Sequence, residues 1–162
     1  MDDDGVRWLD DTETASWIPL LTTVMWLPAA LDLQLERDAG LSTFEYGVLA
    51  ALSEREGRTI RLSELARIAN STLSRLSKVV NRLSEQGWVE RRPDPEDGRT
   101  TLAALTDAGL AKVVATAPGH VAHVRRLVYD HLTRAEVEQL GVIAAKIATS
   151  IGPDGACSGK LG

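Results

Sequence analysis

"TLSRLSKVVNRLSEQGWVERRPDPEDGRTTLAALT", residues 72–106, decides how this chain is read. Its first half has helical periodicity. Leu76, Val79, Val80 and Leu83 recur at three- and four-residue steps and make one apolar stripe. Thr72 stands where an N-cap belongs, and Gly87 is placed to stop the helix. The second half has two β-like runs, 88–92 and 100–105, around a charged turn. Pro93, Pro95, Asp97 and Gly98 fix that turn as a tight polar loop. The helix face opposite the stripe carries Ser74, Arg75, Ser77, Lys78, Asn81 and Arg82. All can donate hydrogen bonds and none is acidic, whereas a merely solvated face ordinarily mixes signs.

Upstream, "LSELARIAN" (62–70) reads as a second short helix. Ser63 is the expected N-cap, and Leu65, Ala66, Ile68 and Ala69 are apolar. Asn70 tolerates the left-handed turn that would follow. Two short helices joined by a tight turn are a helix-turn-helix, and a hairpin directly after them is a wing. In such a unit the early residues of the second helix reach base edges, and its cations hold phosphates. Arg99, just past the wing tip, can enter a minor groove, where negative potential is focused. Asp97 is the expected orienting partner of Arg99, and Arg91 and Arg92 are expected at the phosphate backbone. The expected partner is therefore double-stranded DNA. The competing reading is a winged-helix module that binds protein without DNA. It calls for a face lacking selective cations and a wing lacking its arginine, whereas here the cations and the wing arginine are both present.

The flanks read as helices. One runs over about 12–38, with Pro19 near its start and Pro28 expected to kink it. Ser42 and Glu45 form a capping box for the next helix, with Leu41 and Tyr46 placed as a hydrophobic staple. "GRTIR" (57–61) is a turn and short strand. Thr106 caps a long helix to about 132, with an interruption expected at Pro118-Gly119. Thr133 and Glu136 open a last helix through 149. Residues 1–40 and 107–150 are thus expected to form a helical dimerisation region around a DNA-binding unit at 41–106, with 151–162 a flexible tail. Residues 14–31 carry no charge. Their prolines, acidic flanks and missing basic anchors argue against a membrane span and for a helix buried all round at a subunit interface. A homodimer is expected.

Charge is unevenly spread. The chain of 162 residues carries a net −5, with 44% hydrophobic residues, enough for a packed core. Residues 55–101 hold 10 basic and 7 acidic side chains. A basic island in an acidic chain points to a local polyanion contact. The single cysteine, Cys157, excludes an intrachain disulfide, and "MDDDG" lacks the basic start of a signal peptide, so a cytoplasmic protein is expected. Nothing near Cys157 in sequence would stabilise a thiolate. No nucleophile elbow, phosphate loop or zinc-protease motif occurs, so neither an enzyme nor a cofactor is expected. His120 and His123 are three apart on a helix but lack a clear third ligand, and no metal site is expected.

The order from "LSELA" through "STLSRLSKVVNRLSEQGWVERR" to "DPEDGRTTLAALTDAG" resembles the MarR family of transcriptional regulators. Asp97 with Arg99, and Leu105-Thr106 with Gly109, look like that family's wing signature. The resemblance implies a mainly α fold with a small β-hairpin wing: a winged helix-turn-helix plus a helical dimerisation arm built by the first and last two helices. It also implies control of transcription, with repression the expected sign, often relieved by a small anionic or phenolic ligand. Trp17 and Trp26 on the first helix, with Phe44 and Tyr46 on the second, are the candidate aromatic walls for such a ligand. Arg58 is a candidate partner for its carboxylate. Three positions depart from the family pattern: Gly98 stands where a second basic residue is frequent, Leu73 where a polar residue is frequent, and Asn70 where glycine is common.

Overall fold

A computed structural model describes residues 5–151, so Cys157 and the tail from 152 onward lie outside the described residues. Helix starts are set by side chains at their ends. Helix α1 (Asp11–Ala39) opens with a capping box: Glu13 N donates to Asp10 Oδ1 at 2.7 Å, and Asp10 N donates to Glu13 Oε2 at 3.0 Å. It runs through Pro19 and Pro28 as one element and stops at Gly40, whose φ of 64° is left-handed. Helix α2 (Thr43–Ser53) opens with the expected box of Ser42 and Glu45.

Strand β1 (Thr59–Arg61) leads directly into helix α3 (Leu62–Ile68). Ser63 is therefore not the N-cap. Arg61, still in extended geometry, occupies that position without a side-chain bond, because Leu62 is drawn into the core and the helix starts two residues early. Asn70 takes φ 45°, and Thr72 caps helix α4 (Leu73–Glu85) by accepting from Arg75 N at 3.2 Å. Strands β2 (Val89–Pro93) and β3 (Thr101–Leu105) form the hairpin. The sheet is antiparallel in the order β1-β3-β2, with Ile60 and Arg91 both opposite Ala103. Helices α3 and α4 with this sheet make a winged helix-turn-helix.

Its core is one cluster. Helix α2 contributes Val48, Leu49 and Leu52, which pack with Leu65 of α3, Leu76, Val80 and Leu83 of α4, and Val89 and Ala103 of the sheet. Each leucine so buried contributes roughly 1.5–3 kcal/mol.

Helix α5 (Asp107–Leu127) begins at Thr106, which accepts from Gly109 N at 3.0 Å and donates to Gly87 O at 2.7 Å. The expected interruption at Pro118 is absent, and the helix ends at Leu127 rather than near 132, where a 3-10 turn, Tyr129–His131, follows. One lost backbone bond is outweighed by the packing of α5 along α1 and α2. That packing includes Tyr46 against His120, with ring centroids 4.9 Å apart, and Lys112 Nζ on Ala39 O at 2.7 Å. The Thr133–Glu136 box opens α6 (Arg134–Ile151).

The arms remain uncovered. Trp26 is 71% exposed, Ile18, Val24 and Met25 are exposed, and α6 has no buried residue. By length and composition α1 is apolar enough to cross a membrane, with a mean hydropathy of 1.4 in its most apolar window.

Gly109 shows how tightly α5 is seated. A Cβ there would lie 2.1 Å from the Trp88 carbonyl oxygen and 2.7 Å from Leu105 Cδ1. Alanine ordinarily improves a helix interior by about 1 kcal/mol over glycine. Gly109→Ala should instead destabilise the protein by roughly 1–3 kcal/mol, as overpacking does. Denaturant unfolding of the two proteins measures this, and an unchanged or raised midpoint would contradict the close approach.

Candidate nucleic-acid interface

Helix α4 turns by roughly 100° per residue, which sorts its side chains into four strips. Leu76, Val80 and Leu83 face the core. Opposite them, at the outermost strip, lie Ser74, Lys78 and Asn81, with Glu85 at its C-terminal end, all exposed. Arg75 and Arg82 occupy the flank toward α2. Leu73 and Ser77 occupy the flank toward the wing, where they line a cleft of about 240 Å³ with Arg91 and Arg99.

Tertiary pairing separates the basic residues that the sequence treats alike. Arg82 Nη1 lies 3.1 Å from Glu45 Oε1, and Arg92 Nε donates to Glu90 Oε2 at 3.0 Å. Glu90 and Arg92 are two apart on β2 and so share a face. Arg91 points the other way, onto α4, where its guanidinium donates to Asn81 Oδ1 and, at 3.5 Å, to Ser77 Oγ. Arg75 stacks over the Phe44 ring, 4.6 Å from its centroid. Among the described residues, Lys78 and Arg99 have no carboxylate partner. The outer strip and wing therefore present Lys78 and Arg99 without a carboxylate partner and Arg91 bonded to neutral side chains, with Arg75 stacked on the adjoining flank.

The wing is braced differently from the sequence reading. Asp97 does not pair with the Arg99 guanidinium. Its carboxylate accepts from the Arg99 backbone N at 3.1 Å and from Thr100 Oγ1 at 2.9 Å, because a short acidic side chain in a turn satisfies nearby backbone first. It shapes the loop that carries Arg99. Asp94, which the sequence reading passed over, roots the wing. It is buried, accepts from Glu96 N at 2.9 Å, and pairs with Arg61 Nε at 2.8 Å. The Glu96 N–H first, and Arg61 with it, hold its carboxyl below the usual range. The signal was an aspartate two residues before an amide donor, an Asx-turn pattern. Its pairing with Arg61, 33 positions away, had no local signal.

The aromatic residues proposed as ligand walls are not brought together within one chain. Trp17 and Trp26 are nine residues apart, roughly 180° around α1 and about 13 Å along it. Phe44 lies under Arg75, and Tyr46 against His120. Arg58 is engaged by Asp107 at 2.9 Å. His120 Nδ1 lies 3.3 Å from Gln34 Oε1, and His123 Nδ1 accepts from Arg126 at 2.6 Å. Among the described residues no group of three His, Cys, Asp or Glu side chains is placed to hold a metal ion.

Known proteins resemble this chain in sequence and fold. The sequence model of the MarR family matches residues 39–100. The HTH-type transcriptional repressor IacR of Pseudomonas putida is 32% identical over 66% of this chain. The match spans 62% of IacR and 42% of the Bacillus subtilis regulator YdcH, less than two thirds of either curated relative. Two Streptomyces coelicolor structures align nearly end to end. AbsC, a MarR family transcriptional regulator, is 35% identical, with a TM-score of 0.83, over 90% of this chain and 97% of its own. Sco3205, a MarR family transcriptional regulator crystallised in complex with DNA, is 41% identical, with a TM-score of 0.85, over 91% of this chain and 96% of its own. A likeness that close cannot be confined to the winged unit; it takes in the helices on either side, and the chain belongs to the MarR family.

Proposed function

We propose that this protein is a sequence-specific DNA-binding transcriptional regulator acting as a homodimer, with repression the expected sign. The observation that carries the proposal is the outer strip of α4. Ser74, Lys78 and Asn81 project from a helix with no acidic residue between Leu73 and Leu83, beside a wing that presents Arg99. That Sco3205, 41% identical to this chain, was crystallised in complex with DNA supports the DNA-binding reading. In this reading α4 enters the major groove, Lys78 contacts phosphate and Arg99 reaches the adjacent minor groove. Regulators of this kind work on the chromosome, which supports a cytoplasmic site and a binding role rather than an enzymatic one.

The arms supply the second half. The uncovered apolar flank of α1 and the whole of α6 call for a partner surface, and a second copy offers the same apolar faces. The likeness to Sco3205 extends beyond the winged unit, which supports protein rather than lipid against α1. A two-fold dimer sets two α4 helices one DNA turn apart, about 34–36 Å, and reads a near-palindrome. Residues 1–40 and 107–150 then serve assembly and 41–106 serves DNA.

Three outcomes are expected. Selection from a random duplex pool should return a near-palindromic site. On that site Arg99→Ala should lose about 1–3 kcal/mol, most at A·T-rich flanks, and Lys78→Ala should lower the slope of log affinity against log salt by about 0.9. A protein that retains no duplex at low salt refutes the proposal.

Leu73 is 52% exposed at the start of α4, an apolar residue where helix meets groove. It is suited to the thymine methyl group. Replacing thymine by uracil at one position per half-site should weaken wild-type binding by about 0.8 kcal/mol, the value of one buried methyl-sized group. Leu73→Ala should be indifferent to the exchange; equal sensitivity in both proteins removes Leu73 from base readout.

Sedimentation at micromolar concentration should give the mass of two chains. A monomer there would sink both the dimer and the palindrome.

A further inference from the structure

The N-terminal turn of α2 touches both the arm and the recognition helix. Glu45, only 3% exposed, is held from two sides. Its Oε2 accepts from Ser42 N at 2.8 Å and from Ser42 Oγ at 3.0 Å, while its Oε1 faces Arg82 Nη1 at 3.1 Å. One residue before it, the Phe44 ring carries the Arg75 guanidinium. One residue before that, Thr43 N donates to Asp32 Oδ1 of α1 at 2.7 Å. Three consecutive residues thus connect the arm to α4.

Arg75 and Arg82 are seven apart, two helical turns, and share one flank of α4. Two contacts about 10 Å apart along a helix fix its rotation as well as its position. A half-buried ion pair adds little net stability, since desolvation of the carboxylate offsets its attraction to the cation. What it supplies is direction.

We infer that Arg82 is a positioning residue: Glu45 and Arg82, with Phe44 and Arg75, set the orientation of α4 relative to α1, and Arg82 is not a phosphate contact. The inference rests on the DNA-binding reading above. It separates two roles that the sequence assigns to one residue type. A phosphate contact acts by its charge, and its loss lowers the salt slope by about 0.9. A positioning residue acts through its partner, and its loss leaves the slope alone. The sign at Glu45 is also diagnostic. Removing a negative charge close to DNA ordinarily tightens binding, whereas releasing α4 weakens it.

The test uses the full-length protein and the duplex that the wild type selects from a random pool, with affinity followed against salt. Glu45→Gln keeps a residue able to complete the α2 capping box. Glu45→Gln and Arg82→Gln should each weaken binding by roughly 2- to 30-fold, with the wild-type salt slope. The double variant should be no weaker than the weaker single, because the two act as one unit. A lower slope for Arg82→Gln, additive losses, or tighter binding by Glu45→Gln would each overturn the inference. Should Glu45→Gln fail to fold, as judged by its circular dichroism melt, the slope of Arg82→Gln decides alone, since Arg82 is 65% exposed. Failure of the wild type itself to bind any duplex would instead overturn the DNA-binding reading.

Discussion

The seat of Gly109 on the Trp88 carbonyl is the constraint on which the rest of the arrangement depends. It lies where the winged unit ends and the arm begins. Thr106 reinforces it from the other side by bonding to Gly87 O and Trp88 O. Through this corner the end of α4, the end of β3 and the start of α5 share a few ångströms of space. No side chain can be inserted, so α5 has one way to leave the sheet. Its direction then determines where it meets α1 and α2, and which apolar faces are left uncovered.

On the opposite surface, charge is organised by pairing rather than by count. The basic island of residues 55–101 does not present ten equivalent cations. Arg61 roots the wing through Asp94, Arg82 joins α4 to α2, and Arg92 is matched by Glu90. Each of these guanidinium groups is matched by a carboxylate of the same chain. Among the described residues Lys78 and Arg99 have no carboxylate partner, Arg91 is held by neutral side chains, and Arg75 rests on an aromatic ring from which its edge can still donate. The unmatched charge is therefore more sharply focused than the composition implies.

Local features were legible in the sequence. The caps at Ser42, Thr72, Thr106 and Thr133 each depend on an acceptor and an amide three residues on, and each is present. Asn70 takes its left-handed turn for an equally local reason. The apolar stripe of α4 and the two hairpin strands follow from periodicity. The misreadings share a different cause. Ser63 lost the cap position to Arg61 because the core pulls Leu62 inward, and Pro118 did not break α5 because long-range packing holds the helix together. Beyond these two, the contacts that Arg82, Arg91 and Asp94 make with partners 37, 10 and 33 positions away had no local signal. A basic residue in a sequence has a charge but no address until the fold supplies its neighbours.

Arg91 of β2 bonds to Asn81 and Ser77 of α4, and so ties the wing to the helix beside it. If helix and wing read DNA as proposed, two readers tied in this way would not slide to suit a groove that is slightly too wide or too narrow. The compliance would come from the duplex. Base steps that bend or untwist easily would accept this rigid shape at low energy, and stiff ones would resist it. Selectivity would then extend to bases that no side chain touches, with the elasticity of the double helix serving as part of the signal.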